Sequence, residues 1–253
     1  MTDPKERFSN RVDDYVRSRP GYPAALFERL GALGCLDAGS LVVDVGSGTG
    51  ILTRGLLAAG GARVVAIEPN ARMRAAAEGA LAGHPRFESV DASAEATGLP
   101  DACAGLVIAA QAFHWFDPAR TRIEFARILE PTGVVALVWN QRTDSPLNRD
   151  YLEMLERFAP DYALVRESER SSEPRIRSFF AQATPRLEVF ANQQRLDAAG
   201  FEARLLSSSY APAAGHPLHA PIVARAGEIF RKYVRGGLVT IAYDTLVWYG
   251  ALA

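Results

Sequence analysis

Apolar residues in this chain fall into two patterns. Short unbroken runs, VVDV (42–45), VVAI (64–67), LVIA (106–109) and VVALV (134–138), alternate with longer stretches in which apolar positions recur every three or four residues. The first pattern predicts strands buried on both faces, and the second predicts amphipathic helices. In order, LVVDVGSGTG (41–50) reads as a strand running into a glycine-rich turn, and ILTRGLLAAGG (51–61) as a helix stopped by Gly60 and Gly61. ARVVAIEPN (62–70) is a second strand, ARMRAAAEGALAG (71–83) a second helix, RFESVDAS (86–93) a short strand and AGLVIAAQ (104–111) another. FDPARTRIEFARILEP (116–131) predicts a helix with Phe116, Ile123 and Ile128 on one inner face, and TGVVALVWN (132–140) a further strand. Strand and helix joined by short connections imply a parallel sheet with helices on both faces, an α/β doubly wound fold.

After Asn140 the pattern weakens. RDYLEMLERF (149–158) and RIRSFFAQA (175–183) predict short helices, RLEVFANQ (186–193) a strand, and RLDAAGFEARLLSS (195–208) an interrupted helix. APIVARAGEIFRKYVRGG (220–237) predicts a firmer helix, and the β-branched alternation of GLVTIAYDTLVWYG (237–250) a closing strand. No linker or repeat breaks the chain, so residues 1–253 read as one domain. Residues 1–140 form its core, 141–185 a small helical cap over the sheet's C-terminal edge, and 186–253 complete the sheet.

Composition removes several function classes. Of 253 residues, 48% are hydrophobic and 23% charged, which excludes disorder. The net charge is −1, and the arginines of 142–186 are interleaved with acids, so no basic face suggests nucleic acid. No apolar run is long enough to span a membrane, and the polar N-terminus MTDPKERFSNRVDD lacks a secretory core. Cys35 and Cys103 read as reduced core thiols, which suits a cytoplasmic protein, and no Cys/His cluster has metal-ligand spacing. No pattern sets an oligomeric state.

The candidate chemistry sits at strand ends. In Asp44-Val-Gly46-Ser47-Gly48-Thr-Gly50 the glycines allow close backbone approach to a ligand. A dinucleotide fingerprint wants Gly or Ala three residues after Gly48, where this chain has Ile51; a P-loop wants a Lys that is absent. A carboxylate at Asp44 would repel a pyrophosphate and attract an ammonium or sulfonium ligand. Glu68, ending the second strand, offers two acceptor oxygens to a ribose diol, and Asp91, ending the third, could accept from an adenine amino group. The fourth strand ends in AAQAFHWFDP (109–118), three aromatic rings around one imidazole. His114 reads three ways: as a general base, as a ligand contact, or as packing.

VVDVGSGTG, IEPN, VDASAEATGLPDACAGLVIAAQAFHWFD and RILEPTGVVALVWN together resemble a class I S-adenosylmethionine-dependent methyltransferase. The opening FSNRVDDYVRSRPGYP is similar to the type-11-like small-molecule branch that includes trans-aconitate methyltransferases. The resemblance implies a Rossmann-like seven-stranded sheet whose last strand is antiparallel, S-adenosyl-L-methionine as cofactor, and a small-molecule acceptor. It implies that Asp44, Gly46, Ser47 and Gly48 hold the donor's methionine part and that Glu68 takes the ribose. Pro69 and Met73 would border the adenine, Asp91 and the Ala92 amide would meet its amino group, and Gln111 would help hold the donor's amino group. Tyr15 and Arg19 would close over the donor. The QAFHWFD segment would wall the cleft where methyl meets acceptor. A nicotinamide-dependent oxidoreductase and a non-catalytic donor-binding protein are the rival readings.

Overall fold

The computed structural model describes residues 18–163, 172–181, 183–208 and 210–252. Tyr15, one of the sequence candidates, lies outside them. A helix α1 (Ala24–Ala32) leads into β1 (Leu41–Val45), α2 (Ile51–Ala59), β2 (Arg63–Ile67), α3 (Ala71–Ala80), β3 (Phe87–Val90) and β4 (Ala104–Ala110). A 3₁₀ turn at Phe113–Trp115 then precedes α4 (Pro118–Ile128), β5 (Leu129–Arg142), α5 (Pro146–Phe158) and α6 (Ser172–Phe180). The chain closes with β6 (Arg186–Leu196), α7 (Ala198–Leu206), α8 (His219–Tyr233) and β7 (Val239–Gly250).

The seven strands form one sheet in the order β3-β2-β1-β4-β5-β7-β6. Strands β1 to β5 pair in parallel, and β7 runs antiparallel between β5 and β6. The predicted doubly wound sheet with an antiparallel last strand is therefore the observed one. Order reverses between β1 and β4, so their carboxyl ends open a crevice of the kind in which ligands of such sheets bind. The unbroken apolar runs follow from burial on two sides. Val43, Val45, Val107 and Leu137 face a core closed by Phe125 of α4 and Phe179 of α6; Val42, Leu106 and Val138 face another closed by Leu26 of α1 and Leu56 of α2. A third core joins Tyr151 and Leu155 of α5 to Phe201 of α7 and Ile229 of α8 against Ile241 and Tyr243 of β7. The helices beside α5 thus come from beyond residue 185.

Two local expectations change. Ile123 is 71% exposed, because on an α-helix it lies about 140° from Ile128, and the inner face is Thr121, Phe125 and Ile128 instead. The segment 195–208 is not an interrupted helix. Arg195 and Leu196 end β6, and Asp197 starts α7 afresh by accepting a hydrogen bond from the Gly200 amide at 2.8 Å. Strand β5 also runs two residues past Asn140, to Arg142, which places a half-buried arginine at the strand's tip.

Candidate active site

The glycine turn after β1 places opposite demands on two of its three left-handed glycines, Gly46 and Gly48. Gly46 has φ of 68°, and a Cβ there would sit 2.5 Å from the Ala112 Cβ and 3.3 Å from the Phe116 ring. The turn after β4 therefore presses directly on the glycine loop. Gly48 has φ of 57°, yet a Cβ there would meet nothing within 4 Å. The space over Gly48 is open, as a ligand-approach glycine requires.

Beneath the loop lies Asp44, 1% exposed. Its Oδ2 accepts from the Thr53 hydroxyl at 2.6 Å, whereas its buried Oδ1 has no partner. Burial outweighs the Thr53 bond and pushes the carboxyl up to about 7. Ser47 hangs on β2 through its amide, 3.1 Å from the Ile67 carbonyl. Glu68 lies next to the loop: the Gly48 amide donates to its Oε2 at 2.9 Å and the Asn70 amide to its Oε1 at 2.8 Å. Each oxygen keeps a lone pair beyond those bonds. Burial raises this carboxyl too, against the pull of the two amides.

Asn70 caps α3 by accepting from the Arg72 and Met73 amides, both at 3.1 Å, which leaves Pro69 in the turn between Glu68 and the cap. Met73 is buried on α3. Arg74 ties two strand tips together, donating to the Glu68 carbonyl at 2.8 Å and to Asp91 at 2.9 Å. Asp91 is held by that pair with its side chain mostly exposed, while Ala92 packs on the sheet's core.

Gln111 ends β4 in a left-handed conformation, φ 55°, and its Nε2 donates to the Asn140 carbonyl at 3.3 Å. Non-glycine residues held there cost roughly 1–3 kcal/mol and cluster at functional sites. The aromatic stretch that follows divides. Phe113 is buried, edge-on to Phe116, Trp139 and Phe179, and so belongs to the core. Trp115 is exposed, its ring centroid 4.7 Å from that of His114 and tilted by 47° to it. Arg175 of α6 donates to the His114 and Phe116 carbonyls, pinning α6 to this turn. His114 Nδ1 is buried without a partner, and burial together with Arg175 lowers the imidazole to about 4.

A cavity of about 450 Å³ opens at the carboxyl ends of β4 and β5, beside the amino-terminal half of the antiparallel β7. Ile51, the residue after the glycine turn, and Gln111 border one end, while Arg142, Arg204, Tyr210 and Tyr243 line it further on. Neither His114 nor Phe113 lines it. Its roof is the segment 18–22: Gly21 accepts from Asn140 at 3.1 Å and Asn192 at 2.9 Å, Ser18 accepts from Gln194 at 2.7 Å, and Arg19 donates to the Ser207 carbonyl at 3.1 Å. Of the sequence candidates Arg19 and Gln111 line this cavity; Asp44, Gly46, Ser47, Gly48, Glu68, Pro69, Met73, Asp91 and Ala92 do not, though Glu68 is joined to the glycine turn through the Gly48 amide. The arginines and tyrosines of the cavity's far end were not among the sequence candidates. The available signal was Arg204, a charge in the apolar stripe Phe201–Arg204–Leu205 of α7. Among the described residues no His/Cys/Asp/Glu cluster could hold a metal, and no helix is long and apolar enough to cross a membrane.

Residues 43–137 match the family profile described as a methyltransferase domain. An uncharacterized methyltransferase of Mycobacterium tuberculosis is 39% identical over 137 residues, 54% of this chain and 53% of that protein. An uncharacterized methyltransferase-like protein of Schizosaccharomyces pombe is 31% identical over 158 residues, 61% of this chain and 59% of that protein. These matches span little more than half the length of either relative. A structure from Anaeromyxobacter dehalogenans, provisionally assigned as a type II methyltransferase, superposes with a TM-score of 0.67 at 25% identity, covering 92% of this chain and 98% of that one. The fold is also that of a geranyl diphosphate C-methyltransferase from Streptomyces coelicolor, solved with S-adenosyl-L-homocysteine, at a TM-score of 0.52 and 14% identity.

Proposed function

We infer that this chain, a class I S-adenosylmethionine-dependent methyltransferase by its fold and its domain match, transfers a methyl group from S-adenosyl-L-methionine to a small-molecule acceptor. The observation that carries the reading is one cavity that touches the residue after the glycine turn and the tip of β4 and continues inward to a polar end. Such a cavity can hold donor and acceptor side by side. The residues fit the donor: Asp44 has a buried, unpartnered oxygen under a glycine loop whose Gly48 faces open space.

When bound, the donor supplies an electrophilic methyl carbon on a sulfonium. In this reading Asp44 draws the donor's cationic methionine end down onto the loop, the Ser47 and Gly48 backbone lies along it, and Gln111 holds the amino group. Glu68 takes the ribose hydroxyls with the lone pairs left after its two amide bonds. Pro69, Met73, Asp91 and Ala92 bound the base, Asp91 turning from Arg74 to do so. Arg19, tied to Ser207, closes the roof and excludes water. Catalysis rests on holding acceptor and methyl in line, a gain that well-oriented intramolecular reactions show to be large. His114 has a buried, unpartnered Nδ1, and its depressed basicity makes it a poor base, so it enters this reading as a packing residue of the β4 turn. Calorimetric titration tests the reading: S-adenosylmethionine and S-adenosylhomocysteine bind one per chain and NAD does not. Binding of NAD with no heat from either methionine-derived ligand reverses it.

A further inference from the structure

The far end of the cavity holds two arginines in an arrangement that the donor reading does not use. Arg204 is 5% exposed, with Nη1 donating to the Ser208 hydroxyl at 3.2 Å; its Nε is buried without a partner. Arg142 is half-buried on the cavity wall beside the Tyr210 hydroxyl, and its Nε and Nη2 are buried and unpartnered. Its guanidinium lies 4.5 Å over the Tyr151 ring. The Tyr243 hydroxyl lies beside Arg204 on the cavity wall, and the Tyr151 hydroxyl behind it is buried without a partner. Each guanidinium acts on the other as a like charge, and among the described residues no carboxylate pairs with either. Asp144, the acid on the cavity wall, is committed to Arg149 at 2.6 Å.

Buried charge without a counter-charge is costly, and a pair of like charges more so. Sites of this kind are stabilised by an anion that supplies the missing acceptors, and planar guanidinium forks match a carboxylate. We propose that Arg142 and Arg204, with the hydroxyl of Tyr243, form a binding site for the carboxylate of a small organic acid, which is the acceptor or the anchor by which the acceptor is held. The assignment of that acid as acceptor rests on the reading of the cavity above; the anion site itself does not. Leu152, Trp139 and Tyr162 on the cavity wall offer faces for the acid's apolar body.

The test uses the full chain without donor, melted in the presence of phenylacetate, its neutral isostere phenylacetamide, or inorganic phosphate at matched ionic strength. Phenylacetate at tenfold over its Kd should raise Tm by about 3–5 °C, and phenylacetamide should leave it unchanged. The double variant Arg142→Met, Arg204→Met should melt above the parent, since it loses two charges that no carboxylate pairs, and should no longer respond to phenylacetate. Should that variant fail to fold, the parent's acid-against-amide comparison decides alone. Equal shifts with acid and amide, no shift with the acid, a shift with phosphate only, or an undiminished shift in the double variant would each overturn the proposal. A chain that responds to phenylacetate but binds no S-adenosylmethionine would keep the anion site and remove the methyl-transfer reading.

Discussion

Gly46 and Gly48 are two residues apart and both left-handed, yet their alanine variants should fail differently. At Gly46 the added methyl meets Ala112 at 2.5 Å and Phe116 at 3.3 Å. The left-handed conformation costs an L-residue roughly 1–2 kcal/mol, and overpacking adds roughly 1–3, so Gly46→Ala should lose about 2–5 kcal/mol of stability. At Gly48 the methyl meets nothing, so Gly48→Ala pays only the conformational cost of about 1–2 kcal/mol. That methyl projects where the donor is placed, and a clash of roughly 1–3 kcal/mol with a bound ligand lowers its affinity between about fivefold and 150-fold. Urea unfolding and calorimetric titration with S-adenosylhomocysteine read the two effects separately. The expected outcome is a stability loss larger in Gly46→Ala and an affinity loss that Gly48→Ala shows while remaining folded. Unchanged affinity in a folded Gly48→Ala would refute the placement of the donor over the loop.

Three further outcomes follow from the same geometry. Glu68→Ala should weaken donor binding at least tenfold and more than Glu68→Gln, which keeps one acceptor oxygen; equal affinities in both variants and the parent would take Glu68 out of the site. Asp44, with its carboxyl raised to about 7, favours its protonated form in the fold, so its contribution is intact below about pH 4 and is lost as pH rises through 7, a swing of roughly 4 kcal/mol. Asp44→Asn should therefore be more stable than the parent at pH 8 and bind donor more weakly, and a parent with the same relative stability at pH 5 and 8 would contradict this. His114, lowered to about 4, acts oppositely: its stability is full above about 6.5 and lost as pH falls toward 4. His114→Asn should leave kcat within fivefold while lowering Tm, and a hundredfold fall in kcat would restore it as a base.

Strand positions were legible because a strand buried on both faces must be apolar without interruption, as 64–67 and 106–109 are. Glu68 and Asp44 were legible because acids at strand tips sit against that background with nothing to explain them locally. The aromatic stretch was less so. Its rings serve both the core and the underside of the glycine loop, and only the fold separates Phe113 from Trp115. The anion end of the cavity was the least legible. Arg142, Arg204 and Tyr243 come from three elements far apart in sequence, and each looks like an ordinary residue of its element until β5, α7 and β7 converge. Arg204 alone broke a local rule, by standing in its helix's apolar stripe.

The central claim is that donor and acceptor meet in the cavity between the glycine turn and the arginines Arg142 and Arg204. A crystal structure with S-adenosylhomocysteine tests it most directly. The account predicts the ribose on Glu68, the amino group beside Asp44 and Gln111, and the sulfur directed into the cavity toward Arg142 and Arg204. A ligand seated elsewhere, or one whose sulfur faces away from that cavity, would contradict it.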